Sequence, residues 1–323
     1  MPLTIKPSTR DFYRQGRQLS GYSLFDWLHG YVYARWPYLY IGVALGEHPL
    51  TRTFAPFVKW FSRRHPPAEA EVQNDSRKAS FADTYHGKVV PTEAASRLVT
   101  LNRDIALPDL EPVIPYAKAR DLLLDNPGHI AALQCPCRTV RKNPCLPLDV
   151  CLIVGDPFAP FILEHHPERA RKISQSEAVD ILTAEHERGH VHHAFFKDAM
   201  LERFYAICNC CPCCCGAMQA MRNGIPMLCS SGYVVECDAG SCLDCGLCVK
   251  ACPFQALTQE QDGVRLDAEK CMGCGVCVDK CPNGCLSLVR SPGKPQPLEI
   301  DGLLSDRQSS PTTSQGLLSK HKG

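Results

Sequence analysis

The first 134 residues contain no cysteine, and neither sign of charge dominates the 323-residue chain. With 35 Lys and Arg against 34 Asp and Glu, the formal net charge is +1, which argues against nucleic-acid binding through bulk charge. No uncharged, proline-free run approaches the roughly 20 apolar residues of a membrane-spanning helix. The opening MPLTIKPSTRDFYRQGRQLS has neither the apolar core nor the small-residue cleavage site of a secretory leader. A G-x-G-x-x-G following a strand is missing, as is a G-x-x-x-x-G-K-Ser/Thr loop, so the chain offers no dinucleotide site and any NAD, FAD or ATP chemistry must come from partners. A cytoplasmic protein is expected.

What is present is cysteine. All 21 fall between Cys135 and Cys285. The chain is too long for a secreted disulfide scaffold, and an odd number cannot pair completely. Thiols in a reducing compartment point to metal or redox chemistry. The aromatics lie elsewhere: 14 of 25 are in residues 1–65, together with nine Lys or Arg and three Asp or Glu. With 45% apolar residues there is material for a real core. The expected class is α+β, divided into a basic aromatic segment (1–65), a polar linker (66–88), a Cys-rich α/β unit (89–228), a Cys-dense repeat (229–290) and a disordered Pro/Ser tail (291–323).

The repeat is the sharpest signal. Cys242-x2-Cys245-x2-Cys248-x3-Cys252-Pro253 recurs as Cys271-x2-Cys274-x2-Cys277-x3-Cys281-Pro282, with eight identities in sixteen aligned positions. Three thiolates two residues apart let one loop wrap three corners of a cubane. Gly246 and Gly275 allow close backbone approach. Zinc ribbons also use C-x2-C but do not need the third Cys or the Cys-Pro. Over residues 233–290 the sequence resembles the bacterial-type two-[4Fe–4S] ferredoxins. That resemblance implies two [4Fe–4S] clusters with crossed ligation: Cys242, Cys245, Cys248 and Cys281 on one, Cys271, Cys274, Cys277 and Cys252 on the other. It also implies low potentials and single-electron transfer. Cys285 aligns with Ala256 and reads as a small core residue; Cys237 stays open.

Upstream lie Cys135, Cys137, Cys145 and Cys151, then Cys208, Cys210, Cys211, Cys213, Cys214 and Cys215 within ICNCCPCCCG. The pattern predicts a helix over 115–125, strands over 149–155 and 204–208, a helix over 175–188 capped by Ser174 or Ser176, and a short helix over 216–224. Both Cys groups then sit at strand ends, where sites gather in open α/β sheets. They are expected to converge on at least one further metal or Fe–S site, with Arg138 donating to cluster sulfur or to an anion; inert buried thiols are the bland alternative. The region is similar to Cys-rich modules fused ahead of dicluster ferredoxins in anaerobic bacteria. The Cys214-Cys215-Gly216 step resembles the CCG motif of heterodisulfide-reductase-type proteins, but that motif needs a second repeat, which is missing, so the activity is not carried over.

His186-Glu187-Arg188-Gly189-His190 is a literal HExxH. Gly189 breaks the helix inside it, Arg188 is charged and no third ligand follows, so a helix C-terminus is the simpler reading. A role for His190, His192 or His193 near a cluster, coupling protons to electrons, is the functional alternative. In the N-terminal segment, residues 22–46 and a basic aromatic stretch (Phe54, Phe57, Lys59, Trp60, Phe61, Arg63, Arg64) suit peripheral association with a membrane face or a membrane subunit. An arm packed on the protein's own core is the alternative. The function expected is that of an electron-transfer protein working between redox partner proteins. A second reading is an oxidoreductase subunit with a catalytic thiol or cluster upstream.

Overall fold

The computed structural model describes residues 5–49, 51, 81–261 and 263–309. Three helices open the chain, Pro7–Gln18, Leu24–Arg35 and Pro37–Ala44. The second begins with a capping box, Ser23 accepting from the Asp26 amide while the Asp26 carboxylate accepts from the Ser23 amide. The stretch 52–80, with its second basic aromatic run and most of the expected linker, lies outside the described residues.

An eight-stranded sheet follows, built from β1 (Tyr85–Val89), β2 (Ile105–Leu107), β3 (Leu122–Leu133), β4 (Cys151–Asp156), β5 (Ala170–Ile173), β6 (Val191–Lys197), β7 (Arg203–Cys210) and β8 (Leu228–Cys229). The spatial order is β2-β3-β4-β7-β6-β1-β8, with β5 also on β3. Every named pair is antiparallel except β1 with β8. The α+β class is therefore observed, with the Cys-rich unit built on a mainly antiparallel sheet. Strand β1 also occupies residues read as the end of the linker.

The helix expected over 115–125 is absent, and β3 begins at Leu122 instead. Leu122 and Leu124 are buried on one face, with Leu123 and Asp125 more exposed, a period of two that the Leu run conceals. The strands near 149–155 and 204–208 and the helices Gln175–Glu187 and Gly216–Arg222 form as expected, the former capped by Ser174.

One face of the sheet carries the N-terminal helices. Phe12 is fully buried against Phe158 and Phe161. Tyr22 donates to the Ala199 carbonyl at 2.7 Å and Tyr38 to the Gln134 carbonyl at 3.0 Å. Gly30 permits this packing, because a Cβ there would lie 1.9 Å from the Ala199 carbonyl oxygen. The helices between Pro7 and Ala44 thus pack as an arm on the protein's own core.

The C-terminal unit pairs β9 (Tyr233–Cys237) with β12 (Leu286–Arg290), while β10 (Leu257–Glu260) and β11 (Gly263–Leu266) form a hairpin between them. The tail is ordered as far as it is described. Leu298 and Ile300 are buried, Gln296 accepts from Lys88, and Arg97 pairs with Asp301 on a helix starting at Ile300. Residues 310–323 lie outside the described residues.

Candidate metal centres

The duplicated motif builds two cavities. One is lined by Cys242, Cys245, Cys248 and Cys281. The other is lined by Cys252, Cys271, Cys274 and Cys277. In each, three thiols come from one repeat and the fourth from the other. Gly246 and Gly275 sit at φ +68° and +83° as N-caps of the short helices Leu247–Ala251 and Val276–Asp279, a conformation that costs a side chain energy. Among the described residues, neither quartet draws its sulfurs into a group within 4.8 Å, so each keeps room at its centre. Residues 241–285 match the family model for the 4Fe-4S dicluster domain. The chain thus carries a ferredoxin-type iron–sulfur domain. No curated protein matches the chain.

The two cavities differ in setting. Cys245 is exposed, as are its neighbours Leu243 and Leu247. Cys274, Met272 and Val276 instead join the core that holds Cys135, Cys151, Cys210 and Cys215. The Cys271–Cys277 loop is tied to the sheet unit by Ser231 Oγ, which donates to the Gly273 carbonyl at 2.7 Å, and by His186 Nε2, 2.6 Å from Asp279 Oδ2. Cys237 and Cys285 lie with Cys242 at the outer cavity, their three sulfurs within 4.8 Å. Cys285 is buried. Cys229 is buried in β8.

The ten upstream thiols divide into two sets. Cys135 follows the end of β3, Cys151 starts β4, and Cys208 and Cys210 end β7. Because these strands are antiparallel neighbours, their thiols meet at one end of the sheet, with Cys151 and Cys208 register partners. Cys137 and Cys215 complete a set of six around a cavity that Cys211 also touches. Cys210 and Cys215 sulfurs are 3.1 Å apart. The opposite wall, which the sequence does not foretell, is supplied by Tyr33, Ala34, Pro37 and Ile41 of the N-terminal helices with Tyr85 and Tyr205. Tyr33 and Tyr205 hydroxyls are 2.8 Å apart. Burial drives the hydroxyl pKa values of all three tyrosines upward, so they serve as neutral donors.

Arg138 lines this cavity but is largely engaged. It pairs with the Glu185 carboxylate and donates to the carbonyls of Pro147 (2.6 Å) and Asn209 (2.9 Å). Its Nε is buried without a partner. A set of convergent thiols with an orphaned cationic donor fits a polynuclear Fe–S group, whose sulfide and charge would complete both. Hydrogen bonds with neighbouring thiols, and then burial, push Cys137, Cys151 and Cys210 up toward the protonated form, and metal binding would release those protons.

Cys145, Cys211, Cys213 and Cys214 form the second, tighter set beside it. The HExxH residues do not converge. Gly189, at φ +81°, ends the helix; His186 turns to Asp279 while His190 Nδ1 lies 2.7 Å from Glu185 Oε2. His186 stacks on His192, and His192 Nδ1 is 2.6 Å from Asn209 Oδ1 on the cavity wall. Burial pushes His192 down to about 4, so it is neutral near pH 7. The histidine within 4 Å of a Cβ built at Gly275 is thus His186 (Cε1, 3.8 Å), and not His190, His192 or His193, the three expected near a cluster.

Proposed function

We propose that this protein relays single electrons through three iron–sulfur centres. Cys242, Cys245, Cys248 and Cys281 hold an outer [4Fe–4S] cluster; Cys252, Cys271, Cys274 and Cys277 hold an inner one. A further cluster sits upstream among Cys135, Cys137, Cys151, Cys208, Cys210 and Cys215. The observation that carries the reading is a bridge between the two units: Cys274 of the inner quartet packs, with Met272 and Val276, into the apolar cluster that holds four of the six cavity thiols, while Cys245 of the outer quartet is exposed. A redox partner protein docks at the exposed edge of Leu243 and Leu247, and electrons pass inward or outward along that line. All-thiolate ligation sets low potentials. The protein works in the cytoplasm.

Iron and acid-labile sulfide counted per chain after anaerobic purification test this. About twelve iron are expected, falling to about eight in Cys135→Ser/Cys208→Ser. About eight in both would confine the clusters to the ferredoxin unit.

The apolar residues left exposed on the second and third helices, Leu24, Phe25, Leu28, Trp36, Leu39 and Val43, favour a second, compatible element: this face lies on a membrane surface. No helix among the described residues is long and apolar enough to cross one. Flotation with liposomes is expected for the full chain and not for Phe25→Glu/Leu28→Glu. Equal recovery of the two would remove the membrane face.

A further inference from the structure

Among the described residues the tight set is the one group of four thiols that closes up; the other close group, Cys237, Cys242 and Cys285, has three. The sulfurs of Cys145, Cys211, Cys213 and Cys214 all lie within 4.8 Å of one another, with Cys145 to Cys213 at 3.0 Å and Cys213 to Cys214 at 3.7 Å. Four thiolates on one tetrahedral ion with Zn–S bonds of about 2.3 Å sit about 3.8 Å apart. In a cubane each thiolate binds a different iron, so the four are spread much more widely. The same molecule supplies the contrast. Among the described residues, the two ferredoxin quartets and the six-thiol cavity do not converge to this spacing; they surround cavities.

We propose that Cys145, Cys211, Cys213 and Cys214 form a separate mononuclear tetrathiolate site that holds one Zn²⁺. Two further features fit it. Four thiolates on a divalent ion carry a net charge of −2, and two guanidinium groups embrace the thiol loop: Arg141 donates to the Cys214 carbonyl at 3.1 Å and Arg222 to the Pro212 carbonyl at 2.5 Å. The segments joined also need a tie. Residues 140–150 form no helix or strand, and residues 211–215 are a turn between β7 and the helix Gly216–Arg222. A closed four-thiolate ion with no open position is structural in character. It clamps these two segments next to the cavity, and being redox-silent it takes no part in electron flow.

The test reads zinc and iron separately on the full chain purified anaerobically. About one zinc per chain is expected, and its X-ray absorption should show four sulfurs at about 2.3 Å, a measurement that needs no variant. Cys213→Ser, at the exposed ligand, and Cys145→Ser, on the other segment, should each lower zinc at least tenfold while iron and acid-labile sulfide stay unchanged. Loss of about four iron with matching sulfide from either variant would overturn the proposal in favour of a cluster. Loss of a single iron without sulfide would overturn the choice of zinc. Zinc retained in both variants, or absent from the parent chain, would overturn the site. Because the iron count of the six-thiol cavity is read independently, failure here leaves the relay intact.

Discussion

Arg138 and Glu185 form an ion pair in which each side chain is 1% exposed. The arginine follows Cys137 and the glutamate lies on the helix Gln175–Glu187, which also carries His186, so the pair bolts the thiol-bearing turn to the element that meets the ferredoxin unit. Removing the glutamate leaves the guanidinium buried without a carboxylate, and removing the arginine leaves the buried Glu185 only Arg188, at 3.2 Å, and His190, at 2.7 Å. Arg138→Ala should therefore cost about 3–5 kcal/mol. The double variant Arg138→Ala/Glu185→Ala should cost less than the two single losses added together. Anaerobic denaturant unfolding measures both. Strictly additive losses would mean that the pair is not coupled.

Crossed ligation makes a pairing prediction. Cys281→Ser should abolish the same EPR signal as Cys242→Ser, although the two residues belong to different repeats. Cys252→Ser should abolish the other, together with Cys271→Ser. Each loss removes about four iron. If Cys281→Ser and Cys271→Ser instead removed the same signal, ligation would follow the repeats.

Two glycines give a contrast. A Cβ on Gly273 would lie 2.3 Å from both Ser231 Oγ and the Tyr233 carbonyl oxygen, at φ +62°. On Gly246 it would meet only the end of Gln259, at 3.1 Å. Both substitutions place alanine in the left-handed region at about 1–2 kcal/mol, but only Gly273→Ala adds a clash with backbone. It should lose the inner cluster's iron and loosen the contact with the sheet unit, whereas Gly246→Ala retains both clusters. Iron content and proteolysis within residues 229–241 would show equal effects if the clash were absorbed.

Lys88 supplies a pH dependence. Its ammonium is buried and donates to the carbonyls of Val113 at 3.0 Å and Gln296 at 2.7 Å, holding the C-terminal segment to β1. Burial pushes it down from 10.5 to about 8. Between those values the unfolded chain binds more protons than the folded one, so stability should rise with pH across that window, by on the order of 3 kcal/mol. Below about 8 this group adds no slope. Unfolding at pH 8, 9 and 10 should show the rise in the parent chain and lose it in Lys88→Met; a parallel rise in both would assign it elsewhere.

How much of this was legible depends on the range of the contacts. The dicluster unit could be read because three ligands of each set fall within seven residues, and the fourth is marked by a following proline. The six-thiol set could not, because Cys151 and Cys208 become neighbours only through strand register. Nor does spacing separate Cys211, Cys213 and Cys214 from Cys210 and Cys215 in one short run. That division arises where β7 ends and the chain turns. The helix expected over 115–125 fails because strand pairing overrides the helical propensity of a Leu run. The tail fails the other way. Its composition suits disorder, yet Leu298 and Ile300 fill a gap in the core and Gln296 gives Lys88 an acceptor. Tyr33 and Ala34 read as a docking face, but one side of that helix closes the thiol cavity.

The relay is tested most directly by an EPR-monitored redox titration of the full chain, kept anaerobic and taken from oxidised to fully reduced. The account predicts three reducible iron–sulfur centres, all titrating below the Rieske range, that is below about −150 mV. One of them should vanish in Cys135→Ser/Cys208→Ser while the other two persist. Two centres in the parent chain, unchanged by that substitution, would contradict it.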